Sequence, residues 1–223
     1  FITGAAPVDP VVATYDKCKV IYSNGSTDAA PAPSLDGGAI TVSGLSTPIE
    51  LLTVPVPNGV HYQSGMPENQ ASVFGNNMIE VAASGGSEVP AWSTQVATPQ
   101  PVSITKPKGG DIFTAIDKNK ALPFQWNAGN GNAVNIHLFV VTTSGDQVAG
   151  NTVNCTLDAD TGAYTVPASA MSMLPNGGGG LFPDKLLVFA VSRITNSELS
   201  LPGNTGTASV VAIRTSADGA GLN

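Results

Sequence analysis

Charge is scarce in this chain: Asp, Glu, Lys and Arg make up 11% of its 223 residues, where about 25% is usual for a soluble domain. Lys and Arg number 9 against 16 Asp and Glu, a net charge of −7, and no stretch gathers the basic residues. Binding to a phosphate backbone or an anionic membrane surface needs clustered Lys and Arg, so nucleic acid and acidic lipid are excluded as partners. Apolar runs are short as well, and none approaches the roughly 18 residues of a spanning helix. Cysteine is limited to Cys18 and Cys155. Their wide separation excludes a cysteine-based zinc site and a Cys-x-x-Cys redox pair. Histidine is limited to His61 and His137, which offer no His-x-x-x-His spacing for a catalytic metal. The Gly-x-Ser-x-Gly nucleophile elbow is absent, and the Ser-x-x-Lys spacing of Ser103 and Lys106 lacks the partner motifs of an acylating enzyme.

In place of charge the chain carries Ser, Thr, Asn and Gly, a balance expected of exported β-proteins. Its start at Phe1 raises the expectation that a signal peptide or lipid-anchor segment has been removed. An extracellular, cell-surface or periplasmic location is therefore expected. In such a compartment Cys18 and Cys155 either pair or remain two buried thiols, and pairing across so long a loop would stabilise by about 4 kcal/mol.

Short runs of Val, Ile, Thr and aromatic residues recur between Gly, Pro, Asn and Asp, which is the signature of an all-β fold. The clearest strand is 134–141, where Val134, Ile136, Leu138 and Val140 share one face and Asn135, His137 and Phe139 the other. Residues 186–191 are apolar on both parities, as in a strand covered on both faces. Further strands are expected at 11–22, 39–42, 49–56, 78–83, 92–97, 122–127 and 208–213. Pro55 and Pro57 would confine their segment to a sheet edge. A helix of one or two turns fits only 167–174. Pro99, Pro101 and Pro107 make a stiff connector, which divides the chain into residues 1–100, a β-rich domain, and 101–223, a β-sandwich. The glycine run 177–180 reads as a loop within the second domain.

The segment Ile104-Thr105-Lys106-Pro107-Lys108-Gly109-Gly110, followed by Phe124-Gln125-Trp126 and the strand at 134–141, resembles immunoglobulin-like or fibronectin type III-like modules of bacterial surface proteins. That resemblance implies two tandem sandwich domains with Trp126 in a core, although the tyrosine corner of such modules is not evident. Across its length the chain is similar to exported lipoproteins of myxobacteria. The similarity lies in Gly37-Gly38-Ala39-Ile40-Thr41-Val42-Ser43-Gly44, Ser84-Gly85-Gly86-Ser87-Glu88-Val89-Pro90-Ala91-Trp92 and Val153-Asn154-Cys155. It implies a surface location and carries over no functional residue.

Candidate sites are few. His61, beside Tyr62 in a segment flanked by Gly and Pro, is a loop residue able to face a ligand, whereas His137 lies mid-strand. Glycan binding requires planar platforms, for which Trp92, Tyr62 and Tyr22 stand outside the deepest strands; Trp92 equally suits packing at a domain junction. Asp158-Ala159-Asp160-Thr161-Gly162 opens like a calcium loop but lacks the downstream bidentate Glu, and Asp and Gly are also what a plain turn demands. No paired carboxylates of a glycosidase can be picked out. These features predict a non-enzymatic binding or adhesion module whose partner is a glycan or an envelope protein. The alternatives are a structural part of an envelope or appendage, and a hydrolase or its accessory domain without a known motif.

Overall fold

The structure, a computed structural model, describes residues 10–23, 36–46, 49–56, 59–63, 77–109, 115–176, 185–204 and 206–222, with the backbone alone at 52–56, 59–63 and 204. Its regular secondary structure is nearly all strand. In chain order these are β1 (Val11–Tyr15), β2 (Cys18–Ser23), β3 (Ile40–Ser43), β4 (Ile49–Val56), β5 (Gly59–Gln63), β6 (Met78–Ala83) and β7 (Trp92–Ala97). There follow β8 (Ile104–Lys106), β9 (Leu122–Trp126), β10 (Ala133–Thr142), β11 (Gly150–Leu157), β12 (Ala163–Val166), β13 (Lys185–Ser200) and β14 (Thr207–Gly221). The single described α-helix, α1 (Ala168–Met171), falls where the sequence predicted one.

The chain divides into two compact units that interleave along the sequence. One, the meander unit, comprises Phe1–Val8, Ala29–Pro99 and Thr195–Ala212; the other, the sandwich unit, comprises Asp9–Asp28, Gln100–Ile194 and Ile213–Asn223. One border falls at Pro99, beside the proline-rich connector; residues 9–28 group with the later unit and 195–212 with the earlier one.

The sandwich unit layers a six-stranded sheet, ordered β1-β2-β11-β10-β13-β14, on a three-stranded sheet, β12-β9-β8. Alternation along β10 buries Val134, Ile136, Leu138 and Val140, the face read from sequence. From the facing sheet, Leu122, Phe124 and Trp126 of β9 and Val166 of β12 join the same core. The rings of Phe124 and Phe189 meet edge-to-face with centroids 5.7 Å apart, a preferred aromatic geometry. In β13 only one parity, Leu187, Phe189 and Val191, is fully buried, and the other is half-covered, so burial on both faces is not complete.

Residues 11–22 form a hairpin, not the single expected strand: Tyr15 pairs with Cys18 around a two-residue turn, Asp16-Lys17. Asp16 adopts φ 52°, a left-handed conformation that Asp tolerates better than most residues. The hairpin lies along β11, and Cys155 stands directly opposite Cys18. Their sulfurs are bonded at 2.03 Å across a sequence separation of 137, which settles the two alternatives in favour of a disulfide.

The meander unit contains the sheet β5-β4-β3-β6-β7, antiparallel throughout. β4 is an inner strand, not the edge its prolines suggested. β3 pairs only with Ile49–Leu51, so Pro55 lies beyond that partner and faces only β5, opposite Val60. Pro57 and the glycine run 177–180 lie outside the described residues. Ile79, Val96 and Ala212 form one small core of this unit, and Val89, Leu201 and Ala208 another.

Candidate functional site

The residues singled out from sequence do not converge. His61 and Tyr62 lie on β5, opposite Val54 and Thr53, and not in a loop; their side chains are outside the description. Trp92 opens β7 and packs on the small core of Val89, Leu201 and Ala208, with its indole Nε1 buried and no acceptor among the described residues. Tyr22 is exposed on β2.

Asp158 and Asp160 turn to opposite sides of the loop between β11 and β12. The Asp158 carboxylate is 81% exposed and meets Lys17 Nζ at 2.6 Å. That of Asp160 is 1% exposed and accepts from Arg193 Nε at 2.5 Å and from Trp126 Nε1 at 2.7 Å. Each carboxylate of the run thus faces a different donor. Among the described residues no group of three or more His, Cys, Asp or Glu is placed to hold a metal.

Sequence reading missed Arg193, the largest fully buried side chain among the described residues. Besides Asp160, its Nη1 donates to the carbonyls of Gln100 and Pro101, each at 2.7 Å, and its Nη2 donates to that of Asn127. Gly129 and Gly131 leave it room: a Cβ at Gly129 would lie 2.5 Å from the guanidinium carbon. A signal was present, since 193 continues the parity of Leu187, Phe189 and Val191, and a charge on a core parity must be paired.

What the loops do form is a shallow depression of about 350 Å³ in the sandwich unit. It is lined by Leu157, Ala159 and Ala163 and by Asp16, Lys17, Asp158, Thr161 and Tyr164. The two loops that make it are cross-braced. Lys17 bonds Asp158, the backbone N–H of Thr156 donates to Lys17 O at 3.0 Å, and Tyr164 OH donates to Asp16 Oδ2 at 2.9 Å. Burial, and then the Asp16 carboxylate that holds its proton, push the Tyr164 phenol up to about 12. Asp158 raises the pKa of Lys17. Both groups therefore keep their protons at neutral pH. Beneath them Cys18 Sγ lies 3.5 Å from Tyr164 OH, so the disulfide backs the site.

His137 lies apart from the depression, on the half-buried face of β10 with its ring 5.1 Å from that of Phe139. Desolvation lowers its pKa below the ordinary 6.5. The unfolded chain thus takes up this proton first on acidification, so stability is full above the unfolded value, falls as pH drops toward the folded value, and levels off below it. Urea midpoints taken between about pH 8 and about pH 5 are expected to drop less for His137→Gln than for the wild type.

No protein-family model matches the chain, and no curated protein matches it in sequence.

Proposed function

We propose that this chain is a non-enzymatic binding or adhesion module of an oxidising compartment, at the cell surface, outside the cell or in the periplasm. The observation that carries the reading is the braced depression, a concave site built from loops on a rigid sheet scaffold, where binding residues concentrate. Its titratable groups are coupled in donor–acceptor pairs, Tyr164 with Asp16 and Lys17 with Asp158. The Tyr164 phenol, pushed up to about 12, keeps its proton at neutral pH, unlike a nucleophile activated by a lowered pKa. The fully buried disulfide supports the compartment, because such bridges persist where thiols are not kept reduced. Trp126, buried between the sheets of the later unit, supports an immunoglobulin-like assignment of that unit.

The test is binding of the purified chain to immobilised glycans and to intact bacterial envelopes, with and without calcium. Saturable binding, competed by unlabelled protein, is the expected result. Absence of saturable binding together with turnover in a hydrolase panel would replace the reading. A structural role in an appendage is favoured by one observation: the six-stranded sheet ends on β1 with Val11 and Val12 exposed and on β14 with Val211 and Ile213 exposed. Concentration-dependent assembly in sedimentation velocity would support that second role.

A further inference from the structure

We propose that the depression bounded by Asp16, Lys17, Asp158 and Tyr164 is a saccharide subsite that takes a neutral sugar ring, an inference that rests on the binding-module reading above. Three features of the site select this ligand class.

The first is the mixture of polar groups. Asp16 and Asp158 each have one oxygen engaged by a neighbour in the site, Tyr164 OH and Lys17 Nζ, and an ionised carboxylate offers about four acceptor positions. Lys17 carries further N–H donors beyond the one given to Asp158. Acceptors and donors thus stand side by side, and a sugar hydroxyl satisfies both at once by donating to a carboxylate and accepting from the ammonium. A cationic ligand would have to displace Lys17 from Asp158, and an anionic one would meet two carboxylates. The charges of Asp16, Asp158 and Lys17 leave the rim at −1, so a neutral polyol is the ligand that these charges do not oppose.

Shape and surface supply the second. Most of the lining is apolar, and its residues include Leu157, Ala159, Ala163 and the planar ring of Tyr164, which suit the C–H face of a pyranose. A volume of about 350 Å³ lies at the small end of ligand sites, room for one or two rings.

Rigidity is the third. The loop between β11 and β12 is held from inside by Asp160 on Arg193 and from outside by Asp158 on Lys17. The hairpin turn opposite it is tied by Tyr164 and by the disulfide of Cys18 with Cys155. Weak hydroxyl contacts give useful affinity only when the groups that make them are already ordered.

The experiment is a ¹H–¹⁵N NMR titration of the full chain with glucose, galactose, mannose and N-acetylglucosamine and their disaccharides, beside glucuronic acid and glucosamine as anionic and cationic probes. Binding of one or more neutral sugars with a millimolar Kd is expected, with shifts concentrated on residues 16–17 and 157–164. Asp158→Asn, an exposed substitution whose fold is checked by its own spectrum, is expected to weaken that binding about tenfold. Tyr164→Phe, which removes the hydroxyl on Asp16 and keeps the ring, should weaken it by a similar factor. Shifts centred on Trp92, a preference for either charged probe, or affinity unchanged in both variants would each overturn the saccharide subsite and leave the binding module standing. Silence toward every sugar, with saturable envelope binding retained, overturns the subsite alone; silence in both assays overturns the two readings together.

Discussion

Replacing Arg193 with methionine is expected to destabilise the sandwich unit by about 4 kcal/mol, the range found when one partner of a buried ion pair is removed. The Arg193 and Asp160 side chains are 0% and 1% exposed. The substitution leaves the Asp160 carboxylate with the Trp126 indole as its remaining described donor and takes a donor from the carbonyls of Gln100, Pro101 and Asn127. Each buried acceptor left unsatisfied costs about 1–3 kcal/mol, and a domain has roughly 5–15 in all. Arg193→Lys should fare little better, because one ammonium cannot span a carboxylate and three carbonyls set around a planar fork. Asp160→Leu in the Arg193→Met background removes the stranded charge and should recover part of the loss, limited by the indole N–H that it orphans. Urea midpoints with unchanged m-values measure all three. A loss below about 1 kcal/mol for Arg193→Met would mean that water reaches the site and the network is not a dry one.

That network marks the limit of what the sequence discloses. The strand limits at 49–56, 78–83 and 92–97 agree with β4, β6 and β7, because each is a short apolar or alternating run between turn residues. β13 and β14 run to 16 and 15 residues, far past the apolar stretches that announced them, since their outer portions are rich in Ser and Thr and interrupted by Arg193, Glu198, Arg214 and Asp218. β5 was hidden by its flanking Pro57 and Gly59, which read as loop. The hairpin at 11–22 was hidden because Asp16-Lys17 turns the chain without a glycine. Pairing is non-local information: nothing near Cys18 states that residue 155 will stand across from it. The depression depends on the same long-range register, for its two loops lie about 140 residues apart along the chain. Asp158 alone of its rim was visible beforehand, as one of the two carboxylates in the run read as a calcium loop or a turn.

Removing the disulfide, as Cys18→Ala with Cys155→Ala, should cost about 5 kcal/mol by chain entropy for a separation of 137 residues. The register of β2 on β11 survives, since six residue pairs from Gly150–Ser23 to Cys155–Cys18 define it, so the variant is expected to fold with a lower midpoint. The loss should concentrate in the hairpin. β1 lies at the sheet edge, joined to it by β2 alone, and without the bridge Val11–Ser23 becomes the segment that opens at least cost. Hydrogen exchange should therefore accelerate there first, while β10 and β13 keep their protection. In the wild type both cysteines are 0% exposed, so dithiothreitol without denaturant should leave the bond intact and should cleave it once urea opens the unit. Reduction under native conditions at the rate of an exposed disulfide would show that the hairpin already opens freely. Asp16 and Lys17 sit on the turn of this hairpin, so loosening it separates one wall of the depression from the other. Any ligand bound there should be lost in the double variant at temperatures where the rest of the sandwich remains folded, which ties the one covalent cross-link of the chain to the site.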